Sequence, residues 1–305
     1  MRRLEGILPP VITPFRGDEV DLEAFRANLA RWNETGLAGY LVLGSNGESV
    51  YLDERERDEV LAAAGEAIPS DRIFMAGTGR ESTRDTVRAT RRAAELGADC
   101  ALVVTPHYFK GQMTQDRLEA HFRRVADESP IPILLYSVPQ FTGVALEPGT
   151  VARLAEHPNI VGMKDSSGNI GPFTEICGLV PEGFAVFVGN AGVTYPALCV
   201  GAAGAILAVA NCAPEACVAL YQAFRAGDHA RALDLQRRIQ RLARLVTVAH
   251  GIGGLKLACS MRGYKGGGVR PPLTMPTVDA AHEIARELEA VLECTGDQGD
   301  PSDGA

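Results

Sequence analysis

Lys164 is the residue with the most chemistry within reach. It ends the apolar part of Asn159-Ile160-Val161-Gly162-Met163-Lys164-Asp165-Ser166-Ser167-Gly168, a run of strand type that stops in a polar turn. A lysine so placed keeps its stem among packed apolar side chains and its amine at the rim of a pocket. Desolvation disfavours the ammonium form. Free amine at neutral pH attacks a ketone and forms a Schiff base. The simpler reading is a lysine that caps a strand and points to water, and this stretch alone does not exclude it.

Three other polar stretches follow apolar runs. Gly44-Ser45-Asn46-Gly47-Glu48 has two glycines that let backbone amides approach a ligand, and Ser45 and Asn46 add side-chain donors. Converging N–H and O–H groups suit a carboxylate; a plain strand-to-helix turn has the same composition. Tyr136-Ser137-Val138-Pro139 opens with a phenol able to pass protons, or with a core tyrosine whose hydroxyl is satisfied. Thr105-Pro106-His107-Tyr108 offers a loop tyrosine, a residue type that often only packs. Lysines occur at Lys110, Lys164, Lys256 and Lys265, and only Lys164 ends an expected barrel strand. Gly251-Ile252-Gly253-Gly254-Leu255-Lys256 resembles a phosphate loop loosely, but no strand precedes it, so it reads as a helix entry. The histidines are dispersed without metal-ligand spacing, which disfavours a metal-dependent aldolase; no metal and no cofactor are expected.

The elements that must position these groups alternate in type. Apolar strands are expected at Gly6–Phe15, Gly39–Leu43, Ile73–Gly77, Cys100–Val104, Ile131–Tyr136, Ile160–Met163, Phe184–Val188 and Ala205–Ala208, with amphipathic helices between most of them. Strands that are apolar throughout belong to a parallel sheet covered on both faces. Eight such units predict a (β/α)₈ TIM barrel with a C-terminal helical region. An open doubly wound sheet is the alternative, but no G-x-G-x-x-G turn follows Val11. Helices at Glu215–Arg225, His229–Val248, Gly254–Met261 and Val278–Leu292 complete the reading. The division is 1–226 for the barrel with the active site, 227–293 for the helical region and 294–305 for a disordered tail rich in Gly, Asp and Pro. In a barrel of this kind the four polar stretches share one end, where active sites form.

Composition narrows the partners. The 305 residues are 46% hydrophobic and 22% charged, ordinary for a globular chain. The net charge is −8 and no basic block occurs, which argues against nucleic acid. A small anionic substrate stays compatible, because local dipoles override net charge. No apolar stretch has the length of a membrane span, and Met1-Arg2-Arg3-Leu4-Glu5 runs straight into the first strand without a signal peptide. Seven scattered cysteines fit a reducing cytoplasm.

Taken together and in order, Gly44–Glu48, Tyr136–Pro139 and Gly162-Met163-Lys164-Asp165-Ser166 resemble the dihydrodipicolinate synthase/N-acetylneuraminate lyase superfamily of pyruvate-dependent class I aldolases. The resemblance reaches to about residue 290. Within it, His157–Ser166 and Gly251–Lys256 look most like 4-hydroxy-2-oxoglutarate aldolase. It implies that Lys164 forms the Schiff base with a 2-oxo acid, that Ser45, Asn46 and Ser166 contact substrate, and that Gly189 and Ile206 line the pocket. It also implies a homotetramer, a dimer of dimers, in which Tyr108 reaches a neighbouring site and joins a proton relay with Ser45 and Tyr136. The main expectation is cleavage of 4-hydroxy-2-oxoglutarate to pyruvate and glyoxylate. The alternatives are dihydrodipicolinate synthase, a 2-keto-3-deoxy sugar-acid aldolase, or a non-catalytic sensor of 2-oxo acids. One departure bears on this choice. Phe141 stands where the dihydrodipicolinate synthase pattern has an arginine for the carboxylate of aspartate semialdehyde.

Overall fold

The computed structural model describes residues 3–293; the expected disordered tail at 294–305 lies outside them. The eight barrel strands are β1 (Gly6–Leu8), β2 (Gly39–Val42), β3 (Ile73–Gly77), β4 (Cys100–Val104), β5 (Ile133–Ser137), β6 (Ile160–Asp165), β7 (Ala185–Val188) and β8 (Gly204–Ile206). They pair in parallel in the order β1-β8-β7-β6-β5-β4-β3-β2. Pro9 and Pro10 have no N–H to donate to a ladder, so the last seam closes around them. Ala38 N donates to the Ile7 carbonyl, Leu41 N to Pro9 and Val11 N to Leu41, each at 2.9 Å. The expected TIM barrel is the observed fold.

Alternation along each strand splits the apolar residues between two cores. Leu8, Leu41, Met75, Leu102, Leu134, Phe187 and Ile206 fill the barrel interior. Val42, Phe74, Val103, Leu135, Met163 and Val188 face outward into the larger core beneath the helices. Since Met163 faces out, Lys164 faces in.

The barrel helices are α1 (Leu22–Asn33), α2 (Glu54–Ala67), α3 (Thr83–Glu95), α4 (Gln115–Glu128), α5 (Pro148–Ala155), α6 (Ile170–Leu179), α7 (Thr194–Cys199) and α8 (Pro214–Arg225). Asp53 and Glu56 form a capping box at the start of α2, a device worth about 1 kcal/mol. Sequence patterning did not resolve α6 or α7, nor the small hairpin of Phe15–Arg16 with Glu19–Val20. The first two are apolar on most sides or very short, and the hairpin has two residues per strand.

Beyond the barrel come α9 (His229–Ala243), α10 (Gly251–Met261) and α11 (Val278–Leu292). Leu235, Ile239, Leu242, Leu255 and Ile284 from this region join the outer core of the barrel. The expected continuous helix to Val248 is corrected: after Ala243 the chain widens into a π turn over Arg244–Ala249. Val246, Thr247 and Val248 crowd a regular turn, and Thr247 Oγ1 donates back to the Ala243 carbonyl at 2.6 Å. The helix start at Gly254 moves to Gly251. The glycines there serve packing: a Cβ on Gly253 would stand 2.5 Å from the Thr274 carbonyl oxygen. No helix of the described residues is long and apolar enough to cross a membrane.

Candidate active site

β5 and β6 are hydrogen-bonded neighbours whose register sets Tyr136 directly beside Lys164. Both side chains point inward above the apolar floor made by Leu102, Leu134 and Phe187. Lys164 is only 4% exposed, and its Nζ lies over the Tyr136 ring, 4.4 Å from the centroid. Strand pairing therefore brings an amine and a phenol together from separate stretches of the chain.

The turn after β6 is tied to both neighbours. Ser166 N donates to the Ser137 carbonyl at 2.9 Å, and Gly189 N to the Asp165 carbonyl at 2.6 Å. Gln140 Nε2 donates to the Ser166 carbonyl at 2.9 Å. Asp165 is buried, which pushes its carboxyl above the ordinary value, while hydrogen bonds from Ser167 oppose that shift. Gly189 follows β7 and admits no larger residue without rearrangement. A Cβ there would stand 2.0 Å from Ser166 Oγ and 2.7 Å from Lys164 Cε.

That contact yields an expected result. The clashing atoms belong to side chains that can swing aside, so Gly189→Ala should melt close to wild type while displacing the lysine stem. A displacement of about 1 Å at a reacting group can cost ~10²-fold in rate. Thermal melts and turnover on one preparation check this; an unchanged rate would show that the lysine does not depend on that gap.

The Gly44–Glu48 loop follows β2 at the same end of the barrel. Ser45–Gly47 form a single 3₁₀ turn flanked by two non-glycine residues in the left-handed region, Leu43 (φ 59°) and Glu48 (φ 54°). Such residues cost of order 1 kcal/mol or more each and persist where the surroundings impose them. Thr13 Oγ1 donates to the Gly47 carbonyl at 2.7 Å and braces the turn. Ser45 and Asn46 are half-buried at its crest.

The remaining expected residues lie at different depths. Ile206 is fully buried at the end of β8, in the interior cluster with Tyr136. Phe141 is 70% exposed, on the short helical turn Pro139–Thr142 after β5. Tyr108 is not brought into this chain's own cluster. It is 77% exposed, edge-on to Phe109 at 5.0 Å, with its backbone N–H held by Glu81 at 2.8 Å.

Sequence reasoning gave no role to the side chains of Lys256, Glu48 and Arg270. Lys256 Nζ reaches Glu48 Oε1 at 2.5 Å with both side chains fully buried. The available signal was one cation inside Gly253-Gly254-Leu255-Lys256-Leu257-Ala258-Cys259, since a charge in an apolar helix requires a buried partner.

Residues 3–291 match the model of the dihydrodipicolinate synthetase family. The chain belongs to this family. The barrel described above is shared with solved dihydrodipicolinate synthases. That from Bacillus anthracis superposes with a TM-score of 0.91 at 28% identity, covering 95% of this chain and 99% of that one. The 4-hydroxy-tetrahydrodipicolinate synthase of Methanothrix thermoacetophila is 37% identical over 96% of this chain and 98% of its own length. The enzyme of the same name from Methanoculleus marisnigri is 41% identical over 88% of this chain and 93% of its own. Family membership makes the chain an enzyme of the class I, Schiff-base lyase type. It does not favour the narrower expectation of a 4-hydroxy-2-oxoglutarate aldolase, because these relatives carry the other name.

Proposed function

We propose that the chain is a pyruvate-dependent carbon–carbon lyase or synthase in which Lys164 is the Schiff-base residue. The observation that carries this reading is the buried Lys164 amine above the Tyr136 ring, where Gly189 leaves room for the lysine stem. The amine attacks the ketone carbon of pyruvate. A proton passes through the Tyr136 hydroxyl to the departing oxygen, water leaves, and a protonated imine remains. That imine withdraws electrons from the adjacent methyl carbon, which loses a proton and becomes an enamine. The enamine attacks an aldehyde carbon, and hydrolysis frees the amine; cleavage runs the same steps in reverse. Ser45 and Asn46 hold the carboxylate, with Ser166 beside the imine, while Ile206 and Gly189 shape the wall. No external cofactor is required, because the imine is the electron sink. Residues 1–226 carry this chemistry, and 227–293 brace it. Borohydride with pyruvate tests the reading by adding one pyruvate-derived mass per chain.

The aldehyde is the finer question. The names of the relatives support 4-hydroxy-tetrahydrodipicolinate synthesis, in which the acceptor is aspartate semialdehyde. This reverses the order expected from sequence, where 4-hydroxy-2-oxoglutarate cleavage stood first. One observation keeps that second reading in place: Phe141, exposed at the rim, cannot pair with an acceptor carboxylate as a bidentate arginine does. Comparing kcat/KM for both reactions on one preparation decides between them. If synthesis is the reaction, aspartate semialdehyde turns over in the wild type and Phe141→Arg improves it by roughly tenfold or more, the scale of a charged hydrogen bond. Hydroxyoxoglutarate cleavage with no synthesis, in the wild type and in Phe141→Arg alike, reverses the choice.

The exposed Tyr108–Phe109 pair supports a homotetramer, a dimer of dimers, in which Tyr108 serves a neighbouring subunit. Mixed assemblies of Tyr108→Phe and Lys164→Ala chains should then regain activity that neither parent has in full. No recovery in verified mixed assemblies counts against a shared site.

A further inference from the structure

The carboxylate loop is held from outside the barrel by a chain of buried and half-buried charges. Lys256 sits on α10, far along the chain from the loop, and is fully buried. Its Nζ forms an ion pair with Glu48 Oε1 at 2.5 Å and donates a hydrogen bond to the Gly268 carbonyl at 2.6 Å, above the Phe15 ring at 4.3 Å. Glu48 is the last residue of the loop and one of the two left-handed residues that flank its turn. Its other oxygen accepts from Arg270 N at 3.0 Å. The Arg270 guanidinium covers the same Phe15 ring at 4.6 Å. It also donates to both oxygens of Glu56, at 2.6 and 2.8 Å, and to the Tyr51 carbonyl at 2.7 Å. It further donates to the Asp18 carbonyl.

Two cations therefore face two carboxylates around one aromatic ring, and the formal charges of the four groups cancel. Burial pushes the Lys256 ammonium below its ordinary value, and Glu48 opposes this. Such a pair does little for stability relative to apolar residues of the same size, but it fixes position, because neither group can leave without stranding a buried charge. Here the position is that of Glu48, one residue past the Ser45–Gly47 turn.

We propose that Lys256 and Glu48 are positioning residues for pyruvate: the buried pair holds the loop in its strained shape so that Ser45 and Asn46 meet the carboxylate. The proposal rests on the function proposed above. It predicts a specific kinetic signature. The carboxylate is bound alike before and during the chemistry, so loosening the loop raises KM for pyruvate with little change in kcat.

The test compares three variants with wild type. Lys256→Met combined with Glu48→Gln removes both charges, so neither is left buried without the other. Lys256→Arg keeps the charge but is too bulky for the space between Phe15 and Glu48. Leu288→Ala opens a cavity in α11, away from the loop, and reports what destabilisation alone does. Each is titrated with pyruvate and trapped with borohydride, and each is melted. The double variant and Lys256→Arg should need roughly tenfold more pyruvate for half-maximal trapping, the scale of hydrogen bonds to a charged group. Leu288→Ala should lower the Tm without moving that midpoint. Wild-type midpoints in Lys256→Arg and in the folded double variant would overturn the proposal, as would a midpoint that moves equally in Leu288→Ala. If the double variant does not fold, Lys256→Arg decides alone. Absence of trapping in wild type would instead defeat the pyruvate reading itself.

Discussion

Lys164→Ala should abolish turnover while leaving a folded chain. Removing a covalent nucleophile typically costs about 10⁴-fold or more in rate, because the route through the intermediate disappears. The substitution takes away a long side chain at the mouth of the barrel, above Phe187 and Leu134, and leaves the apolar floor intact. The amine's contact with the Tyr136 ring goes with it. Two measurements are needed. After incubation with pyruvate and borohydride, peptide mass mapping of wild type should place the added mass on the peptide containing Lys164, and the alanine variant should gain none. Circular dichroism should show the same helix content in both. Persistent labelling of Lys164→Ala would move the nucleophile elsewhere. Lys256 is the natural rival, but its amine is already engaged by Glu48 and the Gly268 carbonyl.

Tyr136→Phe should lose roughly 10²–10⁴-fold in rate, the range in which a positioned acid–base group contributes. It keeps the ring over which the lysine amine lies, and it keeps the backbone that accepts from Thr105 N at 3.2 Å. Only the hydroxyl goes. The effect should therefore fall on the proton-transfer steps: imine formation slows, but borohydride still traps pyruvate on Lys164 after longer incubation. Pre-steady-state trapping separates this from a binding defect. A variant that forms the imine and cleaves or condenses at the wild-type rate would reduce Tyr136 to a packing residue under the lysine.

These two residues are legible in the sequence because each ends an apolar run. A strand that is apolar on both faces belongs to a covered parallel sheet, and its first polar residue is where the chain leaves the barrel. Gly44–Glu48 is legible for the same reason. The barrel follows from eight such runs. The order of the candidate reactions is not legible to the same degree. Phe141 argues from one position, whereas the family relationship covers residues 3–291.

The linear pattern thus determined the strands, most of the helices and the residues at the strand ends, since all of these depend on neighbours a few positions away. It located Lys164 and Tyr136 but not their contact, which depends on the β5–β6 register. Gly189 became intelligible only once Ser166 and Lys164 Cε were seen to occupy the space of its missing side chain. The π turn at Arg244–Ala249 depended on local crowding that helical periodicity does not register. The pairing of Lys256 with Glu48 was decided by tertiary structure alone. Two charges far apart in the chain are each unfavourable in an apolar setting. Only the packing of α10 against the mouth of the barrel makes them partners, because burial forces each to find the other.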